Sequence, residues 1–328
     1  MQEEINILFS CDSNYVMPLC VCLTSIFDNN TNNKINIYLL HSGLSEIEEK
    51  NINNVATKYN QTINLIHVQK SYFSDAPALR WSKETYYRLL INELIPKNID
   101  RLLYLDVDII VNKPLNDLYN LDLGEYYISA LLENTDYKKT RARLGLNQDG
   151  FYYQAGVLVF DLKKTRKILS YDKSMEVIHK LGKNLTTVDQ DVMNIIFDGK
   201  IKALDKKFNN VSVTIFDGNN IDRLLNKINK KEVLETYILH YASSKPWNNL
   251  FSGSCEGIWY KYLKLSPYKN LYDEKFNTLK YKILRTGLVK TFFYAYIDIT
   301  PFINKISVSM LSPHLYASLK KFYRKYIK

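Results

Sequence analysis

The sequence predicts an α/β fold: a mostly parallel central sheet flanked by helices, followed by a basic, mostly helical C-terminal extension. Three observations carry this. From residue 5 to residue 111, strand-like apolar runs alternate with helical patterns in βαβαβ order, and parallel strands need such crossover connections. Of the 328 residues, 46% are hydrophobic and 24% charged, the balance of a folded globular chain and not of a disordered one. The formal net charge of +10 is confined to the C-terminal part: residues 275–328 carry eleven Lys and Arg against one acid, Asp298, and the remaining 33 basic and 33 acidic residues cancel. The length suits one large domain with an appendage, divided as 1–265 and 266–328.

In chain order, "INILFS" (5–10) reads as the first strand and "YVMPLCVCLTSIFDNN" (15–30) as a helix after a short loop. "KINIYLLH" (34–41) is a strand, "SEIEEKNINNVATKYN" (45–60) a capped helix with one polar face, and "TINLIHV" (62–68) a strand. Residues 69–81 read as loop. "SKETYYRLLINELI" (82–95) reads as a helix with Ser82 as N-cap, and the run through "RLLYLDVDIIV" (101–111) as the next strand. "YYISALLE" (126–133) and "YYQAGVLVFDL" (152–162) are strand-like. "YDKSMEVIHKL" (171–181) and "VDQDVMNIIFDG" (188–199) are helical, and "ETYILHYASSKPW" (235–247) is a late strand running into a loop. Ligands of such sheets bind beyond the C-terminal strand ends.

Other signals narrow the class. Cys11, Cys20, Cys22 and Cys255 have no zinc-type spacing, and Cys20 and Cys22 sit in an apolar run, so buried thiols are expected. The start, "MQEEINILFS", is acidic and goes straight into a strand, without a basic n-region or a cleavage site. A reducing, cytoplasmic location is therefore expected. There is no G-x-G-x-x-G after the first strand, no G-x-x-x-x-G-K-[ST] and no G-x-S-x-G elbow. The basic, aromatic tail, broken by Arg285, Lys290, Asp298 and Pro301, fits a bilayer span poorly. It suggests either peripheral attachment to an anionic membrane surface or a helical subdomain with a basic exterior; no nucleic-acid motif accompanies the charge.

The chemistry concentrates in four short stretches. "YLDVDIIV" (104–111) places Asp106 and Asp108 two apart in an apolar run. In a strand they share a face, repel each other, and are costly to bury unpaired. A divalent cation resolves this, and so does solvent or pairing with Lys and Arg. "FSCDSNY" (9–15) ends the first strand, "VDQDVM" (188–193) opens a helix, and "LHYASSKPW" (239–247) follows the late strand.

Taken together these stretches resemble the retaining glycosyltransferases of family 8, the group that includes bacterial lipooligosaccharide galactosyltransferases and glycogenin, over residues 5–250. The resemblance implies a GT-A fold, with a Rossmann-like nucleotide-binding half fused to an acceptor-binding half, a UDP-sugar donor, and Mn²⁺ as the metal with Mg²⁺ a weaker substitute. It places Asp106, Asp108 and His240 on the metal. It places Asp12, Asn14 and Tyr15 at the nucleoside, although an ordinary β-to-α turn would read the same way. Arg88, Val107, Gln154, Ala155, Ser243 and Lys245 fall among the donor contacts, with Lys245 clasping the diphosphate. Asp189 is matched to sugar hydroxyls and Gln190 to the reactive face of the sugar. Asp191, the chemically better nucleophile, stands equally well as a helix cap. Three positions depart from the family pattern: Gln154 replaces the usual Asn, Glu133 the common Asp, and Ser243 the family's Gly.

The expected function is transfer of galactose or glucose from UDP-galactose or UDP-glucose to a cell-surface glycan or glycolipid, with retention, by an enzyme at the inner face of the cell membrane. A self-glucosylating protein like glycogenin and a sugar nucleotidyltransferase are the alternatives. The aromatic loop "KSYFSDAPALRW" (70–81) is expected to fold over the substrates.

Overall fold

The computed structural model describes residues 3–211, 230–242, 245–247 and 255–276. The described chain forms two compact units. The first runs to Asn210 and takes in Thr236–His240 and Leu265–Pro267; the second holds the rest. The expectations for Ser243 and for the basic tail beyond residue 276 lie outside the described residues.

The first unit is built on a seven-stranded sheet: β1 (Glu4–Cys11), β2 (Lys34–His41), β3 (Thr62–His67), β4 (Arg101–Leu105), β6 (Ile128–Leu132), β7 (Tyr153–Asp161) and β8 (Ile201–Leu204). The strand order is β3-β2-β1-β4-β7-β6-β8. β1 pairs in parallel with β2 and β4, β2 with β3, and β6 with β8. β7 alone runs against its neighbours β4 and β6. A mostly parallel sheet is thus observed, as the βαβαβ order requires. β5 (Ile109–Val111) and β9 (Ile238–His240) form a separate antiparallel pair in the same unit.

Local chemistry explains the first crossovers. Helix α1 (Val16–Asn29) is buried along most of its length, Cys20 and Cys22 included. All four cysteines are buried thiols. Helix α2 (Glu46–Lys58) opens on a capping box in which Ser45 and Glu48 satisfy each other's backbone N–H groups.

Two elements differ from expectation. The run 101–111 is not one strand: β4 ends at Leu105, and Asp106–Val107–Asp108 form the passage to β5 in another sheet. The pairing of β5 with β9 draws the chain out of the main sheet, so the acid pair is set by a turn and not by strand alternation. Residues 82–95 wind as a 3-10 helix (Lys83–Leu90) followed by a single α turn, α3 (Ile91–Leu94), and the Ser82 side chain makes no cap hydrogen bond. Glu84 and Tyr86–Ile91 are all buried, so packing overrides the local α-helical pattern.

Shorter elements absent from the sequence reading are α4 (Asn116–Tyr119), α5 (Tyr137–Leu144), α6 (Leu162–Thr165) and β8. Helices α7 (Tyr171–Leu181) and α8 (Val188–Ile196) match their expected segments, each within a few residues. In the second unit, Trp259 of the helix Glu256–Leu265 packs against Trp247 with ring centroids 5.5 Å apart, and the Tyr241 hydroxyl donates to the Cys255 carbonyl. Among the described residues no helix is long and apolar enough to cross a membrane.

Candidate functional site

The passage between β4 and β5 and the pairing of β5 with β9 create the site. Ile109 is paired with His240, which brings the neighbouring Asp108 beside the imidazole. Nε2 of His240 lies 3.2 Å from Asp108 Oδ1 and 3.8 Å from Asp106 Oδ2. Among the described residues, Asp106, Asp108 and His240 are the one group of three or more His, Cys, Asp or Glu whose candidate ligand atoms all lie within 4.8 Å of one another. Asp108 and His240 are buried, and Asp106 is partly exposed.

This set fits a divalent cation on two further grounds. Asn209 Oδ1 stands 2.8 Å from His240 Nδ1, so Nε2 is the nitrogen turned toward the carboxylates. Behind the ligands, Gly156 leaves no room for a side chain: a Cβ there would collide with His240 Cε1 and stand 2.9 Å from Asp106 Oδ2. A glycine inside a strand marks such an approach. Two carboxylates and an imidazole suit a first-row divalent ion.

Arg88 holds the floor of the site and is buried. Its guanidinium donates to Asp106 Oδ1 at 3.0 Å, to the Thr85 carbonyl at 3.1 Å and to the Ala155 carbonyl. It pairs with Asp189 Oδ2 at 3.0 Å and lies 4.0 Å over the Tyr104 ring. The Tyr104 hydroxyl donates to Asp106 Oδ1 at 2.9 Å. Arg88 therefore fixes both Asp106 and Asp189 from a buried position. Burial pushes the Asp189 carboxyl up to about 7, with Arg88 pulling the other way and Asp106 adding to the rise.

Asp189 and Gln190 enter at the start of α8, immediately after Val188, whose φ is +37°. A β-branched residue in that region costs on the order of 1–3 kcal/mol, and here it sits at the head of the acid–amide pair. Gln190 Oε1 accepts from the Ala155 N–H at 3.1 Å, and its Nε2 donates to Glu133 Oε2 at 3.3 Å. Gln154 is engaged at both ends: Nε2 donates to Glu133 Oε1 and Oε1 accepts from Asn209 Nδ2, each at 3.2 Å.

Asp191 is wholly buried and turned elsewhere. Its oxygens accept from both terminal nitrogens of Arg143 at 2.8 Å, from the Tyr152 hydroxyl at 2.7 Å, and from the N–H groups of Thr186 and Thr187 at 2.8 and 3.0 Å. Burial works to raise this carboxyl, but these donors outweigh it and hold it down to about 2. A carboxylate so occupied anchors the start of the helix, the capping role that the sequence offers beside the nucleophile one.

The remaining expected residues are spread around this centre. Asp12 follows β1 and accepts from the Asn14 N–H at 2.9 Å, capping a 3-10 turn (Ser13–Tyr15). Asn14 is exposed, Asp12 and Tyr15 are half-buried, and Val107 is buried between the two acids. Lys245 belongs to the second unit, where its ammonium donates to the carbonyls of Tyr241 and Ala242 at 2.7 and 3.3 Å. Sequence reasoning missed Gly156, Tyr104 and Asn209. The first carries a signal, a glycine within an apolar strand; nothing local marks Asn209.

Comparison with known proteins places the chain among glycosyltransferases. The family model described as glycosyl transferase family 8 matches residues 6–250. A putative glycosyltransferase of Haemophilus influenzae is 34% identical over 216 residues; the match covers 63% of this chain and 63% of that protein's own length. A lipopolysaccharide 1,2-glucosyltransferase of Escherichia coli is 26% identical over 278 residues, covering 82% of this chain and 81% of the relative. Among solved structures, the galactosyltransferase LgtC in complex with donor and acceptor sugar analogs superposes with a TM-score of 0.69 at 24% identity, covering 80% of this chain and 96% of that one. The fold is therefore the expected GT-A fold.

Proposed function

The chain belongs to glycosyl transferase family 8, and from that premise we propose that it moves a hexose, galactose or glucose, from a UDP-sugar to a cell-surface glycan or glycolipid acceptor. The proposal includes retention of anomeric configuration and dependence on Mn²⁺ held by Asp106, Asp108 and His240. The observation that supports it is the convergence of these three side chains, with Nε2 of the imidazole turned to the acids. The name of the Escherichia coli relative, a lipopolysaccharide glucosyltransferase, supports lipopolysaccharide as the acceptor class.

An ion bound there supplies positive charge against the diphosphate that leaves the sugar. The chain's own groups do the rest. Arg88 holds Asp106 in place through their ion pair, and holds Asp189 for the sugar hydroxyls. Gln190, a poor nucleophile, contributes an oriented amide dipole near the reactive carbon, fixed by Ala155 and Glu133. Asp12, Asn14 and Tyr15 receive the nucleoside. The basic segment 266–328 is proposed to keep the enzyme at an anionic membrane surface, where each Lys or Arg contributes about 1 kcal/mol.

A donor screen tests the reading. With Mn²⁺ and a lipopolysaccharide acceptor, UDP-galactose or UDP-glucose should yield UDP and an α-linked product. Pyrophosphate formed from UTP and a sugar phosphate would make the chain a nucleotidyltransferase. Mass gained by the chain itself from UDP-glucose would make it self-glucosylating.

A further inference from the structure

We propose that Glu133 sets the ring tautomer of His240 through Gln154 and Asn209, so that Nε2 presents a lone pair to the space between Asp106 and Asp108. The inference rests on the assignment of these three residues as cation ligands.

The argument is one of direction. The two ends of a side-chain amide are nearly the same shape, so the polarity of a chain of amides is set by members with only one role. Glu133 is such a member, because a carboxylate only accepts. Its Oε1 lies 3.2 Å from Gln154 Nε2 and 3.0 Å from the Asn134 N–H. Gln154 therefore turns its oxygen to Asn209, 3.2 Å from Nδ2. Asn209, wholly buried, must answer with its NH₂ and turn its oxygen to His240, 2.8 Å from Nδ1. A carbonyl oxygen accepts, so the ring proton resides on Nδ1.

Left to its immediate neighbours, the ring would do the opposite. Asp108 Oδ1 at 3.2 Å and Asp106 Oδ2 at 3.8 Å from Nε2 favour a proton on that nitrogen, and a protonated Nε2 cannot bind a cation. The relay opposes this preference and prepares the ring for the ion, the task that partners behind a ligating histidine perform. The other oxygen of Glu133 accepts from Gln190, whose own oxygen is held by the Ala155 N–H. One carboxylate thus orients both a metal ligand and the amide at the reactive sugar face. Two of the positions that depart from the family pattern, Glu133 and Gln154, are direct partners in this chain.

The test uses the full-length protein with ¹⁵N-labelled histidine, free of cation and at alkaline pH. Long-range ¹H–¹⁵N correlations report the tautomer of His240, and calorimetry with Mn²⁺ reports affinity. The wild type should show the Nδ1–H form. Asn209→Leu should shift the ring to Nε2–H and weaken Mn²⁺ binding roughly ten- to a hundredfold. Glu133→Gln, which lets the amides reverse, should give a mixture. Asn209→Asp, whose carboxylate still accepts from Nδ1, should keep the wild-type tautomer and so control for folding. An Nε2–H ring in the wild type, or a tautomer and affinity unchanged in Asn209→Leu, overturns the proposal. An Nδ1–H ring that responds to Asn209→Leu in a wild type that binds no Mn²⁺ upholds the relay and removes the ligand assignment instead.

Discussion

Gly156 and His240 are in such close register that the strand backbone at Gly156 forms the wall against which the imidazole rests. An added Cβ would collide with Cε1 of the ring and crowd Asp106 Oδ2.

Gly156→Ala should therefore displace the ligand side chains before it damages the fold. Overpacking of this kind costs about 1–3 kcal/mol. Mn²⁺ affinity should fall at least about tenfold, the scale seen when a ligand's supports are disturbed. Calorimetry beside a thermal melt separates the two effects; unchanged affinity would mean that the ring does not bind metal from this position.

Asp191 predicts a pH signature. Its carboxyl is held at about 2 against an ordinary 3.8, so the unfolded chain binds the proton more readily than the folded one. The stabilisation is complete above the ordinary value and is lost as pH falls through about 2. Asp191→Asn should be less stable than the wild type near neutrality by about 2 kcal/mol, and the gap should close as pH falls from 4 toward 2. Denaturant midpoints of the two proteins across that window measure it. A gap independent of pH would show that the clasp by Arg143, Thr186, Thr187 and Tyr152 is not charge-assisted.

The loop 69–81 predicts a pattern of protease sensitivity. Phe73 is pinned, stacking on Tyr86 at 5.1 Å and meeting Tyr171 edge-on at 5.3 Å. Further along the loop, Leu79 is 56% exposed and Arg80 lies over the Trp81 ring. Trypsin should cut after Arg80 in the free protein, and UDP-sugar with Mn²⁺ should slow that cut. Equal rates with and without ligand would remove the closing role given to this loop.

What the sequence revealed and what it hid divide along range. The capping box at Ser45 and Glu48, the buried thiols of α1 and the parallel strands β1–β4 rest on near neighbours or on strong periodicity. The break after Leu105 rests on the pairing of Ile109 with His240, far along the chain, so the segment reads locally as one strand. The two acids were legible as a candidate metal pair, but the turn and strand pairing that bring them to His240 were not. Asp191 and Asp189 look alike in "VDQDVM", and only the approach of Arg143 to one and Arg88 to the other assigns them different work. Helix α5 was legible and missed: Asp136 caps its start and Gly145, at φ +71°, ends it.

The central claim, that Asp106, Asp108 and His240 together hold the ion that carries the donor, is tested most directly by titrating Mn²⁺ into the wild type and His240→Ala in the presence of UDP. The account predicts one ion per chain in the wild type and binding weakened by orders of magnitude in the variant, with UDP-sugar turnover lost in parallel. Equal Mn²⁺ binding by the two proteins, or a wild type that releases UDP from its donor at full rate in chelator, would contradict it.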